Sequence, residues 1–262
     1  MKNWIQKRRL VQLAFIVLLI GSRFTSLLFV GSLSSSQLLG FSLSDPLAGL
    51  QIILASRSLY LPLILSTLPI LVIYAVLGRA FCSWLCPVNT ILEFLPIDKE
   101  RWKYYATQPK YLILFLLLVA TFVIGLPVFE LITPINILAR AFAFAVGPEL
   151  LLVAILIVLE LIKPRVWCTS LCPLGAFYSL LGSKRLLRLQ INHLGCSECY
   201  ICEDSCAWGA GLLEPLINKE ETINSSWACT NCGKCIDLCP ETALEFSFTT
   251  GKNARKEVVI EK

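Results

Sequence analysis

The chain has 262 residues, of which 56% are hydrophobic and only 16% are charged. A mean hydropathy of +0.72 excludes an ordinary water-soluble protein, because so few polar side chains cannot cover the apolar surface. The formal net charge of +5 does not indicate a nucleic-acid partner, since the basic residues cluster between apolar runs, as they do in membrane proteins.

Four apolar runs predict four transmembrane helices. They cover residues 10–30, 59–77, 111–129 and 150–162. The first run follows Lys7, Arg8 and Arg9 and is too long for the core of a signal peptide. No small-residue cleavage site follows it, so we expect an uncleaved span of the length that a bilayer requires, about 20 residues.

The basic residues predict the orientation of these spans. They concentrate at the amino terminus, between the second and third spans, and after the fourth span. The two loops on the opposite side contain only Arg57 and Arg140. By the positive-inside rule, both termini face the cytoplasm.

The membrane segment contains an internal repeat. Its two copies read Arg79-Ala-Phe-Cys82-Ser-Trp-Leu-Cys86-Pro87 and Arg165-Val-Trp-Cys168-Thr-Ser-Leu-Cys172-Pro173, each after an even-numbered span. In the preceding outer loops, Asp45-Pro46-Leu47 and Thr133-Pro134-Ile135 occupy similar places. Two spans per copy leave both copies in the same orientation, so we predict a parallel repeat of a two-helix unit.

The two C-x3-C-P motifs allow three interpretations. Cysteines four residues apart on a helix lie on one face, and Pro87 and Pro173 are expected to start the next helices. The four thiolates of Cys82, Cys86, Cys168 and Cys172 could meet across the repeat and bind an additional iron or iron–sulfur centre. Alternatively, each pair is a redox-active dithiol, or the cysteines pack as small apolar residues.

The remaining eight of the 12 cysteines form two C-x2-C-x2-C-x3-C runs. This spacing is that of bacterial ferredoxins with two [4Fe–4S] clusters, in which the fourth cysteine of each run binds the other cluster. One cluster then takes Cys196, Cys199, Cys202 and Cys239, and the other takes Cys229, Cys232, Cys235 and Cys206. Zinc is the competing interpretation, but zinc sites use two separated pairs.

Two charged residues inside the predicted spans are candidates for a quinol site. Arg23 lies within the first span and Glu160 near the inner end of the fourth, and a charge inside a membrane indicates function by default. The single histidine, His193, lies outside every span, so a membrane haem with two histidine ligands is excluded. The predicted cofactors are therefore two [4Fe–4S] clusters and the additional centre, without haem.

The predicted fold class is an all-α polytopic membrane domain joined to a small α+β ferredoxin domain. The membrane domain covers residues 1–188 and includes both C-x3-C-P motifs. The ferredoxin domain covers residues 189–250 and lies on the cytoplasmic side. A tail of residues 251–262 follows it.

These motifs together resemble the NapH/MauN family of ferredoxin-type proteins. The resemblance rests on Cys82-Ser-Trp-Leu-Cys86-Pro87, Leu171-Cys172-Pro173-Leu174-Gly175-Ala176 and Leu180-Leu181-Gly182-Ser183-Lys184, followed by the double cluster run. It covers nearly the whole chain. NapH-type members are the membrane quinol dehydrogenase subunits of periplasmic nitrate reductase systems.

The resemblance implies a multi-pass protein of the bacterial inner membrane that serves anaerobic respiration. It would oxidise menaquinol or ubiquinol, as the quinol dehydrogenase component of an oxidoreductase complex. The implied partners are a periplasmic multi-cluster ferredoxin subunit, nitrate reductase subunits, membrane lipid and the quinone pool, with no nucleic acid. The alternative function is an accessory electron donor for the insertion of a metal or cofactor into a partner enzyme.

Overall fold

The computed structural model of the protein describes residues 3–21, 29–31, 35–38, 41–94, 109–138, 150–162, 165–209 and 211–249. Arg23 and the predicted tail 251–262 lie outside these residues. The α-helices, in chain order, are α1 (Trp4–Gly21), α2 (Pro46–Ser56), α3 (Leu61–Leu77), α4 (Ala80–Trp84), α5 (Pro87–Phe94), α6 (Lys110–Ile124), α7 (Val128–Ile132), α8 (residues 134–138), α9 (Leu150–Ile162), α10 (Pro173–Leu181), α11 (Ile201–Asp204), α12 (Glu214–Ile217) and α13 (Lys234–Leu238). The strands are β1 (Phe29–Gly31), β2 (Ser35–Leu38), β3 (Phe41–Ser44), β4 (Leu187–Ile191) and β5 (Leu244–Phe248).

Each predicted span contains one long helix, namely α1, α3, α6 or α9. Within the part of the chain that the structure describes, no helix combines the length and apolarity needed to cross a membrane. The outward faces of these four helices are nevertheless apolar. Side chains at least half exposed include Leu10, Val17, Leu61, Leu65, Phe115, Val123, Leu151 and Val158.

The first predicted span is wrong at both ends. Helix α1 begins at Trp4, before the basic residues, and residues 29–31 form strand β1 instead of helix. The early start has a tertiary cause, because Asp237 of the ferredoxin domain accepts hydrogen bonds from the backbone N–H groups of Trp4 and Ile5. Arg8, inside this first part of the helix, is buried and pairs with Glu93.

The segment between α1 and α3 contains an antiparallel sheet and a helix. Strands β1, β2 and β3 pair in that order, with Ser35 opposite Ser44, and β3 leads directly into α2. Asp45 caps α2, and Pro46 occupies its first turn, where the missing N–H costs nothing. The helix packs against both α3 and α6, so this segment folds back along the bundle.

The first and last strands of the ferredoxin domain form a two-stranded sheet. Strands β4 and β5 are antiparallel, with Leu187 opposite Phe248 and Ile191 opposite Leu244. Strand β4 begins slightly before the predicted domain boundary at residue 189. Buried apolar side chains from the sheet and from the segment between the two cysteine runs form its core: Leu189, Ile191, Leu212, Leu216, Ile217 and Leu244.

Candidate iron–sulfur site

The eight ferredoxin-type cysteines surround two separate cavities. The distal cavity, of about 360 Å³, is lined by Cys196, Cys199, Cys202 and Cys239. The proximal cavity, of about 370 Å³, is lined by Cys206, Cys229, Cys232 and Cys235. Each cavity therefore takes three cysteines from one run and the fourth from the other, the grouping that the spacing predicts.

The two cysteine loops share one backbone path. In the first loop Glu198 and Tyr200 have left-handed φ angles of 54° and 57°, and in the second loop Asn231 and Gly233 have 52° and 74°. These are equivalent positions, on either side of the second cysteine of each run. Left-handed residues turn the chain tightly, so that three successive cysteines line the same cavity.

The donor set fits iron–sulfur clusters. Four cysteines line each cavity, and thiolates are the ligands that such clusters use. Burial raises the pKa of the Cys206, Cys229 and Cys235 thiols, and of Cys202 to about 11. Burial therefore favours the neutral thiols, and these sulfurs would lose their protons on binding iron.

The proximal loop docks directly on the helical domain. The Ser83 hydroxyl donates to the carbonyl of Thr230 at 2.9 Å, and Trp84 Nε1 donates to that of Asn231 at 3.2 Å. The side-chain amide of Asn231 in turn donates to the carbonyl of Leu77, the last residue of α3, at 3.0 Å. The proximal cavity thus lies against the first C-x3-C-P motif, whereas Cys199 of the distal cavity is exposed.

The four cysteines of the C-x3-C-P motifs converge across the repeat. Burial raises the pKa of Cys86 and Cys168, and of Cys172 to about 12. Charge repulsion between neighbouring cysteines raises these pKa values further. Cys172 raises the pKa of Cys86, Cys86 raises that of Cys168, and Cys82 raises that of Cys172. The two pairs are therefore close enough to interact electrostatically, and three of the four cysteines are buried.

Both motifs end in a wider turn than the α-helix that the spacing suggests. The N–H of Cys86 donates to the carbonyl of Phe81 at 3.0 Å, and that of Cys172 to the carbonyl of Trp167 at 2.8 Å. Both bonds close an i to i+5 turn, which in the second copy is a π-helix over Trp167–Leu171. Such turns occur frequently at functional sites. As predicted, Pro87 and Pro173 begin the next helices, α5 and α10.

Two equivalent arginines join the motifs to the ferredoxin domain. Arg79, from the first copy, donates to the carbonyl of Cys168 in the second copy at 3.4 Å. Arg165, from the second copy, donates to Asn89 in the first. Both guanidinium groups lie 5.4 Å from the ring of Trp208, which also lines the proximal cavity. We call this arrangement the Trp208 clamp.

Buried positive charge surrounds the four converging cysteines. Arg79 lowers the pKa of Cys172, and Arg165 lowers that of Cys168. Lys110, at the start of α6, is also buried. Within the described ranges, neither Arg79 nor Lys110 forms an ion pair with a carboxylate. The charges of Arg79 and Lys110 suit a site whose thiolates become negative when they bind iron.

A single metal ion is not the arrangement that these side chains show. Among the residues that the structure describes, no three histidine, cysteine, aspartate or glutamate side chains are grouped to hold one ion. The eight ferredoxin-type cysteines are not grouped around one ion either. This spacing is compatible with clusters, because the four thiolates of a [4Fe–4S] cubane lie farther apart than the ligands of a single ion. The role of Cys82, Cys86, Cys168 and Cys172 as ligands stays a prediction.

The roles of the two predicted quinol residues both stay predictions. Arg23 lies outside the described residues, so its role stays a prediction. Glu160 is fully buried, and its Oε1 accepts a hydrogen bond from the backbone N–H of Trp167 at 2.8 Å. This contact joins Glu160 to the turn that carries Cys168, and the role of Glu160 in a quinol site stays a prediction.

The sequence interpretation missed Trp208, Arg79 and Arg165 as parts of the site. The signal for the arginines was present, because each is the first residue of its repeat copy, at an identical offset from the cysteines. No comparable signal marks Trp208, whose role depends on how two distant segments pack.

Family models match both halves of the site. A model described as a 4Fe-4S binding domain matches residues 60–96 and 146–190, the two segments that contain the C-x3-C-P motifs. A model described as a 4Fe-4S dicluster domain matches residues 188–240, which contain both ferredoxin-type runs. No solved structure matches the chain.

Relatives match the chain over most of its length. The ferredoxin-type protein NapH of Haemophilus influenzae is 37% identical over 92% of this chain and 88% of its own. NapH of Escherichia coli is 31% identical over 95% of this chain and 90% of its own. The methylamine utilization ferredoxin-type protein MauN of Methylorubrum extorquens is 32% identical over 94% and 89%, respectively. With this similarity and the two cluster-type segments, the chain belongs to the NapH/MauN family of ferredoxin-type proteins.

Proposed function

We propose that this iron–sulfur protein lies in the bacterial inner membrane, oxidises menaquinol or ubiquinol and passes the electrons to a periplasmic nitrate reductase system. The observation that carries the proposal is the order of the sites. The converging C-x3-C cysteines lie next to the proximal cavity, and the distal cavity follows at the exposed end of the ferredoxin domain.

Two observations support the membrane location. Apolar side chains are exposed along all four long helices, and an apolar surface of this extent is not stable in water. Among the described basic residues, Arg79 and Arg185 donate hydrogen bonds to the ferredoxin domain, at the carbonyls of Ala228 and Asn224. At the end of the bundle next to this domain, Asp237 contacts the start of α1, and Asn231 contacts the end of α3. This end would face the cytoplasm by the positive-inside rule.

The C-x3-C cysteines are proposed to bind the additional iron–sulfur centre. When bound, iron–sulfur centres supply one-electron acceptors for the two electrons of quinol. The chain contributes the thiols, the compensating charges of Arg79 and Lys110, and a dry setting that excludes competing oxidants. The Trp208 clamp holds the proximal cavity against this region.

The nitrate reductase assignment rests on the family. Relatives at 37% and 31% identity are called NapH, and the family resemblance implies a multi-cluster ferredoxin subunit as the direct partner. A maturation role, in which the same electrons serve cofactor insertion, would use the same order of sites. The genes beside this one would distinguish the two, since nitrate reductase genes favour the respiratory role.

The test uses full-length protein in liposomes that contain a long-chain menaquinone. Dithionite reduces the clusters, the excess is removed, and cluster absorbance is followed under anaerobic conditions. We expect reoxidation that requires the quinone, and no reoxidation in liposomes without it. Clusters that stay reduced in both preparations would contradict electron exchange with quinone.

A further inference from the structure

A cleft lies between the second outer loop and the two cysteine motifs. Its volume is about 290 Å³. It is lined by Asp45, Phe81, Phe129, Glu130, Thr133, Ile135, Asn136 and Leu174. Phe81 directly precedes Cys82, and Leu174 follows Cys172 by two residues, so the cleft borders both C-x3-C-P motifs.

The two polar ends of the repeat meet in this cleft. Asp45 precedes Pro46-Leu47 in the first copy, and Thr133 precedes Pro134-Ile135 in the second. Asp45 follows strand β3 and precedes α2, whereas Thr133 lies between helices α7 and α8. The repeat therefore places a carboxylate and a hydroxyl at equivalent positions around one space.

The hydroxyl of Thr133 is a polar group in the cleft that is free to bind a ligand. It is 2% exposed, it lines the cleft, and its hydroxyl has no hydrogen-bond partner in the described part of the chain. A buried hydroxyl without a partner is costly, at about 1–3 kcal/mol. Asn136 and Glu130, which hydrogen-bond to each other, lie on the same wall of the cleft.

Asp45 is held by both of its oxygens. Its Oδ2 accepts from the backbone N–H groups of Leu47 at 3.0 Å and Ala48 at 3.2 Å, which caps α2. Its Oδ1 accepts from the Tyr178 hydroxyl. The Tyr178 ring packs against Tyr74 at 4.5 Å and Phe81 at 5.8 Å between ring centroids. Burial raises the pKa of Asp45 to about 6, so the carboxylate is ionised at neutral pH but is a stronger base than usual.

We propose that this cleft binds the head group of the quinol, with Asp45 and Glu130 accepting its two protons and Thr133 donating a hydrogen bond to one of its oxygens. This inference rests on the proposed function. The two O–H bonds of the quinol break, and the protons go to the carboxylates. The first electron would pass through the oxidised iron–sulfur centre proposed beside Phe81 to the oxidised ferredoxin-type clusters, the second electron would then leave to the same centre, and the quinol becomes the quinone.

Single substitutions distinguish the proposed quinol-binding role of Asp45 and Thr133 from the role of Asp45 as the cap of α2. Asp45→Asn retains the helix cap, because asparagine caps as well as aspartate, but it cannot accept the proton. Thr133→Val removes only the hydroxyl. Thr121→Val is the matched control, because Thr121 is equally buried but its hydroxyl donates to Leu117 and does not line the cleft.

Binding is measured by photolabelling the full-length protein in liposomes with an azidoquinone, and function by quinone-dependent reoxidation of the reduced clusters. We expect wild-type labelling in residues 127–138 and 41–56 that unlabelled quinone prevents. Thr133→Val should weaken labelling about threefold to tenfold, as expected for one lost hydrogen bond. Asp45→Asn should retain labelling and iron content but slow reoxidation at least about tenfold, within the range that a positioned base contributes.

Three results would overturn the inference, and they can be told apart. Labelling at another place, with reoxidation unaffected in both variants, would refute this cleft and leave the proposed function intact. Absence of both labelling and quinone-dependent reoxidation in the wild type would refute the proposed function together with the cleft. A Thr121→Val variant that behaved like Thr133→Val would also contradict the inference.

Discussion

At the scale of single residues, Trp208 is the point at which both repeat copies and the ferredoxin domain meet. Its ring is 6% exposed and lies beside two guanidinium groups, one from each copy. Stacking of this kind contributes about 0.5–2 kcal/mol per pair, in addition to the burial of the ring. Trp208 therefore both stabilises the domain contact and fixes the position of the proximal cavity.

Replacing Trp208 tests this contact. We expect Trp208→Ala to lower the free energy of unfolding by about 3–5 kcal/mol, the usual cost of truncating a buried aromatic residue. Thermal unfolding in detergent measures the loss. Trp227→Ala is the control, because Trp227 is 49% exposed and its removal should cost at most about 0.5 kcal/mol. Equal losses in the two variants would refute the clamp.

The exchange of the fourth cysteines between the two runs predicts a pattern in double variants. Cys206 lines the proximal cavity with Cys232, and Cys199 lines the distal cavity. Cys206→Ser combined with Cys232→Ser should therefore remove one cluster, whereas Cys206→Ser combined with Cys199→Ser should remove both. Iron and acid-labile sulfide contents distinguish a loss of roughly four iron atoms from a loss of roughly eight. The reverse pattern would show that each run binds its own cluster.

At the scale of elements, one glycine allows the end of α3 to touch the segment that leads into the ferredoxin domain. A Cβ on Gly182 would lie 2.7 Å from Gly78 Cα, which is backbone and cannot move aside easily. We expect Gly182→Ala to destabilise the protein by about 1–3 kcal/mol, the usual cost of overpacking. Thermal unfolding of the purified protein in detergent measures the difference.

The matched variant for this prediction is Gly21→Ala. A Cβ at Gly21, the last residue of α1, would meet nothing within 4 Å. Replacing Gly21 by alanine should therefore leave the stability of the protein nearly unchanged or increase it slightly. A Gly182→Ala protein as stable as Gly21→Ala would show that the end of α3 and the following segment are not in close contact.

Hydropathy predicts elements well where local sequence decides them. Helices α3 and α9 end at Leu77 and Ile162, as the apolar runs predict. Helix α1 departs from its run because two distant carboxylates act on it. Asp237 caps its start and Glu93 neutralises Arg8. Neither contact is visible in the local sequence.

In the site as well, features set by local spacing are predictable from the sequence, whereas features set by tertiary packing are not. The sequence spacing predicts the groups of four cysteines around the two cavities because three cysteines of each group lie on one loop, and the fourth follows the other loop at a fixed spacing. The convergence of the two C-x3-C motifs was inferred from the repeat, which is also a sequence signal. Tyr178, by contrast, meets Asp45 only through the packing of α10 and α2, so no spacing rule could pair them.

At the scale of the whole molecule, four sites follow one another in space. The cleft borders the C-x3-C cysteines, which lie near the proximal cavity, and the distal cavity ends the series at the exposed face. The internal repeat produces the first two sites, because equivalent residues of the two copies meet there. The ferredoxin domain adds the other two and is held in place through Trp208.

The central claim is that the cysteines of the two C-x3-C-P motifs bind an additional iron–sulfur centre. The most direct measurement is the iron content of full-length Cys82→Ser/Cys86→Ser protein beside that of the wild type, with the spectra of the two ferredoxin clusters as an internal control. We predict a loss of about two to four iron atoms, with both ferredoxin clusters retained. An unchanged iron content would contradict the claim.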